Sequence, residues 1–313
     1  MGTLPHAMDG VSHSPSDPTV SILITAYNRE DFVGEAIESV IQSTYTDWEM
    51  IIVDDGSLDA TYDLCCRYAE KDHRIHVYRN ETNLGDYPNR NRAAELARGR
   101  YLKYVDSDDH LYPHSLAYLV SLMEEHPEAG YALSQDSFVN RPHPILLSPY
   151  EAYFINFFHY NLFVRSPNSA FIRTDAFRQI GGFSGKRHVG DHEIWLKLSR
   201  HYPLLTTPPA LAWDRTHPGQ EKSLNREKKL GMHQQIQQEA LEHNDCPLNN
   251  RERQWAWHNV QRSYRKDIFF TLFRYRQLRR AINMKRYLNL SWFSILKFPI
   301  STRFMPPMPS KWD

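Results

Sequence analysis

No run of 18 apolar residues occurs in this 313-residue chain, so no segment reads as a membrane-spanning helix. Cysteine is scarce. Cys65 and Cys66 are adjacent and Cys246 is remote, which makes no disulfide framework and points to reduced thiols in a reducing, cytoplasmic compartment. There is no CxxC, no His/Cys cluster with zinc spacing and no internal repeat. The first 18 residues lack the charged-then-apolar order of a signal peptide and read as a disordered segment, 1–18. An excess of one charge is also missing, with 37 Lys+Arg against 37 Asp+Glu. That balance conceals a polarity: residues 226–313 hold 17 basic against 7 acidic side chains, leaving 20 against 30 for residues 1–225. An acidic body with a basic tail suggests that the tail has a partner of its own.

What the chain does have is alternation. "TVSILITAY" (19–27), "WEMIIVDD" (48–55), "RIHVYR" (74–79) and "YLKYVD" (101–106) are short apolar or β-branched runs of the kind that form buried strands. Between them lie segments of helical period, the first with Asn28 placed as an N-cap and Phe32, Val33, Ala36, Ile37, Val40 and Ile41 on one face. The pattern predicts an α/β fold: a mostly parallel sheet flanked by helices, with ligands at the carboxyl ends of the strands. Polar residues gather at those ends: Thr25–Asn28, Asp54–Ser57 and Asp106–Asp109. After about residue 136 the alternation is lost. An aromatic stretch, "EAYFINFFHYNLF", reads as a core or cleft-lining helix, "GDHEIWLKLSRHYP" as a short helix with Ile194, Trp195 and Leu198 inward, and residues from about 224 as long helices.

"YVDSDD" crowds Asp106, Asp108 and Asp109 into four positions. Carboxylates so close raise one another's pKa unless a cation sits among them. Two readings stand on spacing alone: a site for a hard divalent cation with substrate phosphates, or a solvated turn in which Asp109 caps the next helix.

In "VSILITAYNRE", "MIIVDDGSLDAT", "NLGDYPNRNRAAELARGRYLKYVDSDD", "IGGF", "GDHEIWLKL" and "WDRTHPGQEKS", the chain resembles glycosyltransferase family 2 over roughly residues 18–225. The resemblance implies a GT-A-type, Rossmann-like domain that inverts configuration at a nucleotide-sugar donor. It divides its span into a nucleotide-sugar-binding half (19–109) and an acceptor-binding half (110–225); the basic, helical C-terminal extension (226–313) lies beyond it and is read from composition. It places Thr25, Ala26 and Tyr27 at the nucleobase, Asp55 on a base N–H, Arg90 and Asp106 near the ribose and phosphates, and Arg215 on the diphosphate. Asp54 is left as a helper, and Asn83 and Gly85 as turn-forming residues. Asp108 and His217 become the metal ligands, for Mn²⁺ or Mg²⁺, and Asp191 the catalytic base, with Glu193 as rival. The family's acidic pair is here Gly190-Asp191, and Trp213 stands where a tyrosine is usual.

The expected function is metal-dependent transfer of a hexose from a nucleotide-sugar, UDP-linked by preference, to a saccharide or lipid-linked hydroxyl acceptor in surface polysaccharide or glycolipid synthesis. A nucleotidyltransferase is the rival enzyme, but "TAYNRE" is not a phosphate loop. A non-catalytic scaffold tethered by its basic tail is the rival of another class. That tail mixes Arg/Lys with Trp, Phe and Leu, so it either contacts the inner face of a membrane peripherally or packs on the core. Nucleic acid is not expected, because no recognised module is present. Oligomeric state leaves no mark in the sequence.

Overall fold

The computed structural model describes residues 14, 16–209, 211–217, 226–298 and 302–308. The expectation of disorder for 1–18 falls mostly outside them, as do residues 218–223 of the "WDRTHPGQEKS" segment.

Strands β1 (Val20–Ala26), β2 (Trp48–Asp54), β3 (Ile75–Arg79) and β4 (Tyr101–Tyr104) pair in parallel, in the order β3-β2-β1-β4. Almost every residue of β1, and every residue of β2 and β4, is buried, because helices cover both faces of this part of the sheet. Register aligns the carboxyl ends: Ala26 lies opposite Asp54, and Leu23 opposite Tyr104. The sheet then continues where alternation was no longer legible. β8 (Ala170–Arg173) joins β4 antiparallel, followed by β6 (Tyr131–Ser134), β9 (Leu204–Thr207) and β7 (Ile145–Leu147). Eight strands therefore share one sheet, with the strands after residue 130 built onto the parallel half rather than into a separate layer.

Helix α1 (Val33–Ile41) turns Val33, Ala36, Ile37 and Val40 to the core at helical spacing. It begins later than the sequence suggests. Asn28 is not its N-cap but sits in the left-handed region at φ 52°, its side chain accepting a bond from the Leu58 amide. Helices α2 (Thr61–Ala69), α3 (Asp86–Leu96) and α4 (Ser115–Glu125) follow their strands. Asp109 does not cap α4, whose N-cap is His114. The aromatic stretch forms α5 (Pro149–Phe154), held at its start by a Ser148–Glu151 capping box, and continues as a π-helical turn, Ile155–His159. Its phenylalanines are buried, so it is core as expected. Helix α6 (Thr174–Gln179) leads to α7 (Gly190–His201), which buries Ile194, Trp195 and Leu198.

A two-stranded ribbon decides the site's layout. β5 (His110–Leu111), just past the acidic loop, pairs antiparallel with β10 (Ala212–Trp213). That pairing brings residues 214–217 back over Asp106–Asp109.

The extension is not uniform. α8 (Arg226–Glu242) and α9 (Asn250–Phe273) set Ile236, Ala240, Leu241, Ala256 and Val260 into the same core as α5 and α7. α10 (Leu278–Tyr287) and α11 (Trp292–Leu296) instead share a small separate cluster with Ile268 of α9. Of the two alternatives for the tail, packing on the core holds for α8 and α9.

Candidate active site

The acidic loop after β4 is matched by cations the protein itself supplies. Asp106 Oδ1 accepts from Arg90 Nη2 at 2.8 Å, while Arg90 Nε bonds Asp86 at 2.8 Å. Asp108 Oδ2 lies 3.5 Å from Arg29 Nε and 2.9 Å from His217 Nε2. Asp109 is buried, accepting from Asn168 Nδ2 at 3.0 Å and the Arg215 amide at 2.9 Å. Burial, together with repulsion from Asp106, pushes its carboxyl up to about 7. Beneath the loop lies the Lys103 ammonium, 1% exposed and donating to the carbonyls of Asn168 and Ala170. Burial lowers it to about 8, with Asp106, Asp214 and Asp109 holding it from falling further.

The second strand end is differently used. Asp54 Oδ2 caps the Ser57 amide at 3.1 Å and pairs with Arg79 at 3.3 Å, a structural task. Asp55 accepts from Asn80 Nδ2 (2.6 Å) and from the Leu84 and Gly85 amides (2.9 Å each), fastening the loop that opens α3. Gly85 needs its freedom there, at φ 89°. Ala26 is buried and Thr25 partly so, but Tyr27 projects at 42% exposure, its ring free of the core.

Asp191 begins α7 and is partly buried. Burial raises its carboxyl to about 6, against the opposing pull of the His192 amide and the Arg90 guanidinium. The Tyr87 hydroxyl accepts from the Asp191 amide at 3.2 Å and lies 3.5 Å from its Oδ1. Tyr87 also explains the missing acid: a Cβ at Gly190 would come within 2.8 Å of its ring, which is stacked on Phe183. The rival, Glu193, is engaged elsewhere, bonding Ser184 and pairing with Lys186 at 3.0 Å. Lys186 in turn reaches Glu239 of α8 at 2.7 Å.

Arg215 lies between the rings of Phe32 and Trp213, 5.3 and 5.2 Å from their centroids, and binds Glu35, His110 and the Asp108 carbonyl. Its bond to the Glu35 carboxylate, helped by His110, keeps that acid below the ordinary glutamate range. The ribbon thus delivers both Arg215 and His217 to the loop that carries Asp108.

The donor set fits a hard divalent cation bound partly by its substrate. Asp108 Oδ2 and His217 Nε2 meet directly at 2.9 Å, a carboxylate and an imidazole of the types that ligate divalent cations, joined here by a hydrogen bond. No group of three or more His, Cys, Asp or Glu set to hold a metal occurs among the described residues, so the remaining positions would fall to phosphate and water.

Several residues of the site escaped the sequence reading. Arg29 follows a strand as an ordinary loop residue would, and Lys103 sits inside a strand. Tyr87 and Asn168 stand in segments with no recognisable spacing. Asn168 is buried, its amide bridging Asp109 and Asp214 (3.0 and 3.1 Å), while its Oδ1 has no hydrogen-bond partner among the described residues. It lines a cleft of about 180 Å³ with Gln135, Asp136, Arg165 and Asp214. Arg90 Nη1 is likewise buried and without a hydrogen-bond partner among the described residues. Only the three-dimensional neighbours mark these groups.

Sequence comparison places the chain among known proteins. The model of "Glycosyl transferase family 2" matches residues 21–181, just over half of the 313. A putative teichuronic acid biosynthesis glycosyltransferase, TuaG, of Bacillus subtilis is 38% identical over 135 residues, 40% of this chain and 54% of that protein. An Escherichia coli protein, WfaP, named as a UDP-Glc:α-D-GlcNAc-diphosphoundecaprenol β-1,3-glucosyltransferase, is 38% identical over 105 residues, 34% of this chain and 41% of its own. The chain thus spans about half the length, or less, of these relatives. Among solved structures, S. aureus TarS 1–349 in complex with UDP-GlcNAc superposes with a TM-score of 0.67 at 20% identity, over 90% of this chain and 81% of that one. The Pyrobaculum calidifontis mannosyltransferase PcManGT, in complex with GDP-Man and Mn²⁺, gives 0.59 at 16% identity, over 95% and 91%. These two likenesses carry the fold. With residues 21–181 matched and the GT-A architecture in place, the chain belongs to glycosyl transferase family 2.

Proposed function

We propose that this protein is a metal-dependent inverting glycosyltransferase that moves a hexose from a nucleotide-sugar, preferably UDP-linked, to a hydroxyl of a saccharide or lipid-linked acceptor in polysaccharide synthesis. One observation carries the reading. A partly buried carboxyl raised to about 6, Asp191, feels the charge of Arg90, which pairs with Asp106 in the same acidic loop that sets Asp108 against His217. A base for the acceptor hydroxyl and a charge clamp for the leaving diphosphate are the two groups that inverting transfer requires.

The roles follow from position. Tyr27 offers an exposed ring for the nucleobase, beside Thr25 and Ala26. Asp55 accepts the base N–H on the loop it fastens. Asp106 and Arg90 take the ribose and phosphate region, as the pair that closes this strand end. Asp108 and His217 hold Mn²⁺ or Mg²⁺, which supplies positive charge for the departing diphosphate. Arg215, already beside the Asp108 carbonyl, adds a planar fork suited to phosphate. The sugar ring enters the cleft lined by Gln135, Asp136, Arg165 and Asp214, whose polar groups face its hydroxyls. Asp191 takes the acceptor's proton; the Tyr87 hydroxyl, bonded to its amide, holds the carboxylate in place. Membrane contact through the basic extension belongs to the same reading, because a lipid-linked acceptor is presented at a bilayer. No helix among the described residues is long and apolar enough to cross one.

The test is transfer from radiolabelled nucleotide-sugars with Mn²⁺, comparing wild type with Asp191→Asn. The variant should bind the donor normally and lose turnover. Unchanged turnover would remove Asp191 from the base role; failure of every nucleotide-sugar to bind would return the scaffold reading.

A further inference from the structure

The C-terminal extension divides into a half that is covered and a half that is not. Eight of the 19 exposed large apolar side chains of the described residues fall within residues 273–296. Helices α10 and α11 bury Ala281, Met284, Leu288 and Ile295 against Ile268. They leave Leu278 (57%), Ile282 (45%), Trp292 (37%), Phe293 (69%) and Leu296 (53%) exposed. Leu278, Ile282 and Lys285 recur at i, i+4 and i+7 and so share one face of α10. The Lys285 ammonium stands 5.7 Å from the Trp292 ring, joining that face to α11, and Lys297 stands 4.1 Å from the Phe293 ring. Residues 268–312 contain nine Lys or Arg and no Asp or Glu.

We infer that α10 and α11 form a docking face for the surface of an anionic lipid bilayer. Their apolar side chains enter the headgroup boundary, while Arg279, Arg286 and Lys297 meet the phosphates. The charge pattern selects this occupant. A second copy of the chain, docking by a two-fold contact, would set these cations against themselves without one carboxylate to relieve them. Nucleic acid would match the charge but give exposed Leu278, Ile282 and Leu296 nothing to bury against. At ten and five residues the helices are too short to span, and lie in the interface instead. The inference deepens the proposed function, resting on it only for the idea that a lipid carries the acceptor.

The experiment is co-sedimentation of the full chain with phosphatidylcholine vesicles, with and without phosphatidylglycerol, at low and high salt. Two variants accompany it: Leu278→Ser/Ile282→Ser/Phe293→Ser/Leu296→Ser, and Arg279→Glu/Arg286→Glu. All six positions are on the exterior of α10, α11 or their ends, so thermal unfolding should match wild type and certify folding. Wild type should bind anionic vesicles, weakly bind neutral ones, and weaken in salt. Each variant should lose about tenfold or more in binding. Absence of binding to anionic vesicles, or equal binding by the apolar variant, overturns the inference. So does a concentration-dependent dimer abolished by the same substitutions, which would make this face a contact between copies. Vesicle binding is read without turnover, so an inactive enzyme that still binds would overturn the transferase reading alone.

Discussion

The strand ends and the last two helices both concentrate charge of one sign, and they treat it in opposite ways. Around Asp106–Asp109 every carboxylate has an internal partner: Arg90, Arg29 and His217, or Asn168 and a backbone amide. Around residues 274–297 Arg280 pairs with Glu227 of α8 at 3.2 Å, while Arg279, Arg286 and Lys297 face outward among exposed rings and aliphatic groups, and no acid lies nearby in sequence. Internal pairing preorganises the carboxylates where a substrate's charge will change, and avoids the desolvation cost of an isolated buried ion. An unmatched, half-apolar cationic face gains nothing from the fold and is useful only to something outside it.

The sharpest way to break this contrast is to neutralise one group at a time on the paired side. Asp191→Asn should lower turnover by about 10²–10⁴-fold, the usual worth of a general base, with donor affinity retained. In wild type kcat/KM should rise with pH through about 6 as that carboxyl ionises, and the rise should vanish from whatever activity the variant keeps. Next in size, Asp108→Ala should abolish Mn²⁺-dependent thermal stabilisation by the matching nucleoside diphosphate. In wild type that effect is about 2.7 kcal/mol at a hundredfold excess of ligand over Kd. A full shift in the variant would remove Asp108 from the metal.

Smaller effects come from stability. Asp191 titrates higher in the folded chain than the ordinary 3.8, so the folded state holds its proton more tightly than the unfolded one. Stability should therefore fall as pH rises from about 4 to about 6, and Asp191→Asn should be more stable above that window, by on the order of 2 kcal/mol. Chemical denaturation at pH 4 and pH 7.5 measures it; an equal difference at both would refute the burial account. Gly190→Ala should cost about 1–3 kcal/mol, because its methyl meets a Tyr87 ring that Phe183 keeps from yielding. If Gly190→Ala unfolds like wild type, Tyr87 is not what excludes the second acid. Least of all, the exposed α10–α11 substitutions should change stability by no more than about 0.5 kcal/mol.

How much was legible varied with the range of the interactions. Strands β1–β4 could be read because each is a short run of apolar residues buried on both faces, a local pattern. The acidic loop was visible as composition, and "GDHEIWLKL" as a helix whose inward face repeats every three to four residues. Asn28 was misread because it is a frequent capping residue type, whereas its actual left-handed backbone is set by a bond to the Leu58 amide, 30 residues away. β6 can be read as the short apolar run "GYALSQ", but β8, β9 and β7 carry no such signal, because short strands at this side of the sheet gain their stability from partners distant in the chain, not from their own pattern.

The sequence alone determined the parallel half of the sheet, the edge at which a ligand would bind, the residue types gathered there and the basic character of the last 88 residues, because each is written in local composition and period. Tertiary structure decided the rest. The β5–β10 ribbon placed His217 against an aspartate 109 residues earlier, and the Tyr87 ring left room only for glycine at position 190. Packing also divided the tail, covering α8 and α9 and leaving α10 and α11 exposed. The physical reason is the same in each case: which groups meet, and which remain uncovered, depends on contacts between segments far apart in the chain.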